Sequence, residues 1–454
     1  MILPTDSKKF AIADTLLIFC GFCFYLACCA CQYAQGQNIP HPGIAVSQAV
    51  QDSDNEITID ECVAMAKMNY PQIRQFDLIT EAEKYDLSNA GLNWVPHITI
   101  SGKASYQSDV VEMPFEIPGY DFDLDLPHDQ YSIVGEVSQT IWDGGTTSNL
   151  KSSIRAGAEV QRKQLEVTLY SIRERVENIY LGILLIDKQI SQNKILEKSL
   201  LRNRNEVMAM LENGMAYKSD MNIVDVNILN CRQKLSQLLA DRSSYIKILS
   251  KFTGSDMSGV SFIEPSDYID TDSLEISRPE LSFYDAQVAQ NQVKRNELRT
   301  RISPKFNFTF QGGAGQPGLN MLKEGFSPYY VAAIKMQWSL GDLYTRSNDI
   351  KKIESDKKSI ETERETFLFN TSLDMINQVN AIEKARDILE QDKEIIRLRE
   401  EIRISGEEQY AEGVITMTDL MDMIDDEHDA RVAESIHQVQ LLMEICKLKN
   451  TVGQ

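Results

Sequence analysis

Leu165, Leu169, Ile172, Val176, Ile179, Ile183, Ile186 and Ile190 follow one another at alternating steps of four and three residues. That rhythm is the a/d seam of a coiled coil. A looser version returns later, in Ile376, Val379, Ile382, Ile388-Leu389, Ile395-Ile396, Leu398 and Ile402. No proline occurs between Pro127 and Pro265 or after Pro328. Proline costs about 3 kcal/mol inside a helix, so both regions admit very long helices. We expect them over about 146–211 and 344–411, each roughly 100 Å long at 1.5 Å per residue. Each region has one clear break, at Gly214 and at Gly413. Glycine ends one helix, and Ser219-Asp220 or Thr418-Asp419 can cap the next. Both regions therefore read as a long helix, a tight turn and a shorter returning helix.

Elsewhere the period changes from helical to alternating. His97–Tyr106 places Ile98, Ile100, Gly102 and Ala104 on one face. Tyr131–Ile141, Phe306–Phe310 and Tyr330–Leu340 alternate in the same way. These are four strands with one apolar and one polar face, joined in pairs by polar loops at about 107–129 and 311–328. Strands of about ten residues are long enough to cross a bilayer at a tilt. Four cannot close a barrel, which needs at least about eight, so several chains must contribute.

The chain is also written twice. Asn69-Tyr70-Pro71 returns 208 residues later as Ser277-Arg278-Pro279, and Trp94-Val95-Pro96 returns near Pro304. Beyond Pro304 the offset is 199: Ile141-Trp142-Asp143 matches Leu340-Gly341-Asp342, and Asn213-Gly214 matches Glu412-Gly413. A unit of about 200 residues is far longer than a solenoid repeat and implies a pseudo-symmetric body. The expected organisation is a signal peptide over 1–36, a polar linker over 37–56, a first repeat over 57–253, a connector over 254–276 and a second repeat over 277–454.

Charge and cysteines narrow the class. A net charge of −21 over 454 residues offers no basic stripe for nucleic acid. Lys8 and Lys9 precede an apolar run from Ala11 to Ala30, and Ala34-Gln35-Gly36 supplies small residues for signal peptidase. An uncleaved anchor is the alternative. Leu26-Ala27-Cys28-Cys29 loosely resembles a lipobox, which makes Cys29 a candidate lipidation site. Beyond residue 36 only Cys62, Cys231 and Cys446 remain; they are far apart and read as buried apolar residues.

Taken together, these features resemble the TolC-like outer membrane efflux proteins. The resemblance rests on Ile57-Thr58-Ile59-Asp60-Glu61, Asn69 and Pro71, Trp94-Val95-Pro96, and Gln139-Thr140-Ile141-Trp142-Asp143-Gly144-Gly145. Their second copies add Arg278-Pro279-Glu280-Leu281 and Trp338-Ser339-Leu340-Gly341-Asp342. It covers about Ile57 to Val452. It implies a homotrimer in which four strands per chain build a twelve-stranded outer-membrane β-barrel, continued by a long α-helical coiled-coil tunnel in the periplasm. It further implies a periplasmic adaptor, an inner-membrane transporter and outer-membrane lipid as partners, and export of drugs, metals, other small molecules or secreted protein. One departure is visible: Leu343 and Tyr344 stand where the first copy has Gly144 and Gly145, so the second turn should be less tight.

Asp419, Asp422, Asp426 and Asp429 fall at relative angles of about 0, 300, 340 and 280 degrees on a helix. In a symmetric assembly each becomes a ring of carboxylates, and such rings select cations. The alternative is a solvated helix face. By resemblance, Asp419 and Asp422 match the aspartate pair at the pore constriction, and Tyr410 matches a tyrosine bonded to the first hairpin's aspartate, here Asp220. An ordinary packed tyrosine and helix cap is the other reading. The arginine expected two residues after Gly413 is replaced by Ile415, so half of that latch is missing.

Catalytic-looking motifs fail individually. Gly313-Ala314-Gly315-Gln316-Pro317-Gly318 fits GxGxxG but opens no capped helix and reads as hairpin loop. Asp121, Asp123 and Asp125 begin like a calcium loop, but Leu126 and Ser132 replace the required glycine and glutamate. His428 stands alone among carboxylates. No enzyme, metal or cofactor is expected. The rival to an export channel is a periplasmic coiled-coil adaptor without a pore, which needs no outward apolar band.

Overall fold

A computed structural model describes residues 56–110, 128–271, 274–320 and 325–453, all within one structural unit, Asn55–Gln454. The expected signal peptide, nearly all of the linker, Cys29 and the Asp121–Asp125 loop lie outside the described residues.

The chain opens with β1 (Glu56–Ile57) and α1 (Ile59–Asn69). Thr58 and Glu61 cap α1 reciprocally: the Thr58 hydroxyl accepts from the Glu61 N–H at 3.3 Å, and Glu61 accepts from the Thr58 N–H at 2.8 Å. α2 (Gln75–Gly91) leads into the strand pair β2 (His97–Tyr106) and β3 (Asp129–Trp142). The first helical hairpin follows, α3 (Thr146–Glu212) and α4 (Lys218–Thr253). After β4 (Ser261–Phe262) the second copy runs α5 (Pro279–Arg301), β5 (Lys305–Gln316), β6 (Ser327–Gln337), α6 (Asp342–Ala411) and α7 (Met417–Val452).

The duplication is visible in space. α4 and α7 are both 36 residues long, begin 199 residues apart and end on left-handed glycines, Gly254 and Gly453. Asn69 sits at the first end, its side-chain amide donating to the Lys251 and Phe252 carbonyls at 3.1 and 3.0 Å. Ser277, the copy of Asn69, sits at the second, its N–H donating to the Val452 carbonyl at 2.6 Å.

Both long helices are unbroken, at 67 and 70 residues. The α3 seam faces the core along its length; all eight residues are buried except Ile179, which is partly so. Burying each such side chain is worth roughly 1.5–3 kcal/mol, which is how helices of this length persist. The looser set on α6 is not one seam. Ile382 and Ile396 are buried, whereas Ile376, Ile395, Leu398 and Ile402 are exposed. A single periodic reading merged two faces of that helix.

β2-β3-β5-β6 form one antiparallel sheet in that order. The 311–328 loop is shorter than expected, because β5 continues through Gly312-Gly313-Ala314-Gly315-Gln316, paired with β3 throughout and with β6 as far as Gly315. Glycine's poor strand propensity hid this. Its use is spatial: a Cβ on Gly313 would stand 2.5 Å from the Ile133 carbonyl oxygen. β1 and β4 form a separate parallel pair, with the Tyr180 hydroxyl 2.7 Å from both the Ile57 and Ile263 carbonyl oxygens.

The two strand exits differ as their residues require. Gly144 and Gly145 adopt φ of +67° and +85°. The Asp143 carboxylate accepts from the Gly145 and Thr147 N–H groups at 2.9 and 2.6 Å, capping α3. Burial alone would push that carboxyl up; the hydrogen bonds from Thr147 and Gly145 outweigh it and hold it low. At the second exit β6 stops at Gln337, and Gly341 is an ordinary right-handed residue without a side-chain cap.

Candidate functional site

Two features are arranged for function: the sheet faces and the hairpin turns.

The register puts Ile98, Ile100, Gly102, Ala104 and Tyr106 on the same face as Tyr131, Ile133, Gly135 and Val137. Across β5 and β6 that face continues through Phe306, Phe308, Phe310, Gly312 and Ala314, then Pro328, Tyr330, Ala332, Ile334 and Met336. These side chains are open: Ile100 is 78% exposed, Tyr330 73% and Ile334 70%. The reverse face carries Thr99, Ser101 and Lys103, Ser132, Glu136 and Ser138, Lys305, Asn307, Thr309 and Gln311, and Lys335 and Gln337. Val134, Tyr329, Val331 and Ala333 interrupt it. Water cannot favour such an apolar face, but hydrocarbon can. Ten residues at about 3.3 Å each, tilted by roughly 45°, span about 23 Å, close to the roughly 25 Å height of a barrel's lipid-facing band. β2 and β6 are free edges, whose unpaired N–H and C=O groups call for another strand.

At the turns, Gly214 and Gly413 adopt φ of +75° and +74° with open space around them, the left-handed C′ conformation glycine provides. Thr416 then caps α7. Asp419 accepts the Thr416 N–H at 2.9 Å and its hydroxyl at 2.6 Å, and the Asp419 N–H donates to that hydroxyl at 3.2 Å. These bonds, the side-chain one foremost, hold the Asp419 carboxyl below the usual range. Asp220 takes the same place in the first hairpin, accepting the Tyr217 N–H at 2.9 Å. Both aspartates are thus helix caps in the single chain. Asp422 is exposed one turn on.

Asp426 and Asp429 also lie exposed on α7. Asp426 pairs with Arg399, however, so it is turned toward its own hairpin partner. Partial burial, and then the charges of Asp429, Asp422 and Asp426, push the Asp425 carboxyl up. Glu427 is buried between Arg403 and Arg431. Among the described residues no three metal-ligating groups gather, and no helix is long and apolar enough to cross a membrane.

Tyr410 is half-buried among apolar residues of the turn region. Burial, followed by the nearby Asp220 charge, raises its hydroxyl pKa. The two residues are therefore neighbours, but no hydrogen bond joins them. What does join the hairpins here is apolar. Met417, Leu420, Met421 and Ile424 of α7 pack with Leu200, Val207, Val224, Ile228 and Cys231 of the first hairpin, and Ile415 packs against the same cluster. The spacing of i, i+3, i+4, i+7 was readable in the sequence, although the aspartates between those positions draw the eye first.

Polar links between the hairpins lie further from the turns. The Tyr170 hydroxyl donates to the Asn450 carbonyl at 2.8 Å, and Lys188 donates to Gln438 at 2.8 Å. Asn450 in turn bonds Glu177, whose partner Arg173 lies at 2.8 Å. Burial raises the Glu177 carboxyl despite these partners. Beyond Lys188 toward the turns, no hydrogen bond or ion pair crosses between the hairpins among the described residues. Each hairpin is instead laced within itself, by Arg204–Asp225 at 2.6 Å and Arg232–Glu197 at 2.7 Å in the first, and by Arg431–Glu400 at 3.1 Å in the second.

A two-faced sheet with free edges, continued by two helical hairpins, is a fold shared with solved outer-membrane channels. Solved structures with this fold include the outer membrane channel CmeC of Campylobacter jejuni, at 14% identity with a TM-score of 0.60, covering 92% of this chain and 94% of that one. The outer membrane protein VceC of Vibrio cholerae matches at 9% identity and a TM-score of 0.61, over 87% of this chain and 96% of that one. The open state of the Neisseria gonorrhoeae outer membrane channel MtrE matches at 14% identity and a TM-score of 0.58, over 87% and 88%. No family model matches the sequence, and no curated protein matches it. The chain therefore has the fold that its resemblance to TolC-like proteins implies.

Proposed function

We propose that this protein is the outer-membrane channel of a tripartite export system. Three copies close a twelve-stranded barrel, and their helices continue it as a tunnel through the periplasm. The observation that carries this reading is the apolar face of the sheet, polar only at Asp129, Gln139 and Gln316 near the strand ends, backed by a polar face and bounded by two free edges.

The flanks support a ring. β2 is free on one side of the sheet and β6 on the other. In the helical part, α4 exposes Val226, Leu229 and Ile248, and α6 exposes Phe369, Leu373 and Ile376. Different surfaces on opposite flanks make head-to-tail contacts, which close into rings. With four antiparallel strands the edge strands run in opposite directions, so β6 of one copy meets β2 of the next in antiparallel pairing. The copy number of three follows the resemblance.

The protein is a passive duct in this reading. Asp419 and Asp422 form the constriction, Gly214 and Gly413 make the turns, and Tyr410 beside Asp220 belongs to the latch. An adaptor docks the turns and an inner-membrane transporter supplies the energy and the choice of cargo among drugs, metals, other small molecules or secreted protein. A scaffold without a pore would leave the apolar band facing water.

The test is fractionation followed by bilayer recording. A heat-modifiable oligomer in the outer-membrane fraction, with single-channel conductance in planar bilayers, is expected. Recovery as a soluble monomer without conductance would overturn the reading.

A further inference from the structure

The duplication provides two copies of one pocket, and only one of them is filled. The filled copy lies at the end of α7. There Tyr170 of α3 donates to the Asn450 carbonyl at 2.8 Å, and the Arg278 guanidinium stands 5.0 Å from its ring centre. The empty copy lies at the end of α4. It is a groove of about 620 Å³ lined by Tyr70, Pro71, Lys247, Ile248, Lys251 and Phe252, floored by the Tyr70 and Phe252 rings stacked at 6.4 Å. The repeat offsets relate the two residue by residue. Lys251 is the copy of Asn450, Tyr70 of Arg278, and Pro71 of Pro279. The glycine at each helix end, with Asn69 or Ser277 packed on it, shows that the local backbone is copied as well.

The counterpart of Tyr170 is Phe369. It lies on α6, which packs against α7 and α5, and it is 63% exposed. Gln378 donates to Thr451 at 2.9 Å, so this stretch of α6 is level with the end of α7, and by the same copying with the end of α4. Glu365, Phe369, Leu373 and Ile376 share one helical face at steps of four, four and three. The groove offers two lysines to that acidic and apolar face.

We propose that Phe369 of a second copy of this chain fills the groove over the stacked Tyr70 and Phe252 rings. The contact rests on the ring assembly proposed above and gives it a register. Tyr70, the copy of Arg278, then lies against the Phe369 ring as Arg278 lies against Tyr170 within the chain.

The test uses the full-length protein in membranes, with Ile248→Cys and Phe369→Cys combined. Cys62, Cys231 and Cys446 are buried, and each single variant controls for the remaining thiols. The expected result is a reducible ladder up to the mass of the oligomer in the double variant, absent from both single variants. An intact oligomer without a ladder overturns the groove contact and leaves the assembly standing. A monomer without a ladder overturns both. In parallel, Phe369→Ala should lower the temperature at which the oligomer dissociates on a gel, and Phe369→Tyr should restore it. An unchanged temperature for Phe369→Ala counts against the contact.

Discussion

Met421→Ala asks what holds the two hairpins together at their turns. Met421 is 3% exposed, within a cluster drawn from both hairpins. Truncating a buried methionine to alanine costs about 2–5 kcal/mol, from lost transfer energy and the cavity left behind. No hydrogen bond or ion pair crosses between the hairpins at this level, so the cluster alone opposes their separation. If about 3 kcal/mol is lost from the closed arrangement and not from the open one, the closed-to-open ratio falls roughly 100-fold, at 1.4 kcal/mol per tenfold. Single-channel recording of the purified oligomer should show a higher open fraction or larger conductance than wild type, at low and high salt alike, since an apolar contact is not screened. A lower melting temperature with unchanged conductance would refute the reasoning, because the cluster would then be an ordinary core.

Three further outcomes are expected. Ile334→Arg, on the apolar sheet face, should cost about 2–4 kcal/mol if that position lies at the bilayer midplane and reduce the heat-modifiable oligomer, whereas Lys335→Gln, on the opposite face, should assemble normally and alter only ion selectivity, read as a reversal potential in a salt gradient. Asp419 has a depressed pKa, so its capping contribution is present above the unfolded value of about 3.9 and is lost as pH falls through the folded one; Asp419→Ala should therefore lower the melting temperature at pH 7 and converge with wild type in strong acid. Tyr410→Phe, which removes a hydroxyl not bonded to Asp220, should change conductance less than Met421→Ala, and a larger change would show that the polar latch dominates.

Much of this fold was legible because long helices and alternating strands advertise their periods. The offset of 199 residues relates α4 to α7 end for end, since glycine turns and caps are local chemistry. Where the reading failed, local chemistry misled. Gly312–Gln316 has the composition of a loop and the geometry of a strand, because close backbone approach selected glycine there. The apolar residues of α6 look like a poor seam because they serve two surfaces, one inside the chain and one outside it. The Tyr170–Asn450–Glu177 link joins residues nearly 300 positions apart and leaves no periodic trace. At the turns the aspartates were visible, but their engagement as caps depends on where Thr416 and Tyr217 start the helices.

The two free edges of the sheet also constrain how the protein comes into being. In the proposed assembly a chain alone cannot finish the barrel: it carries edge strands of ten and eleven residues with unmet hydrogen bonds beside an apolar face. Such a chain can neither remain dissolved for long nor enter a bilayer as a completed object. Membrane entry and oligomerisation must then be a single event, steep in chain concentration. On that proposal, periplasmic holding factors become part of the folding pathway, and partial assemblies with one unmatched edge are the species most prone to aggregate.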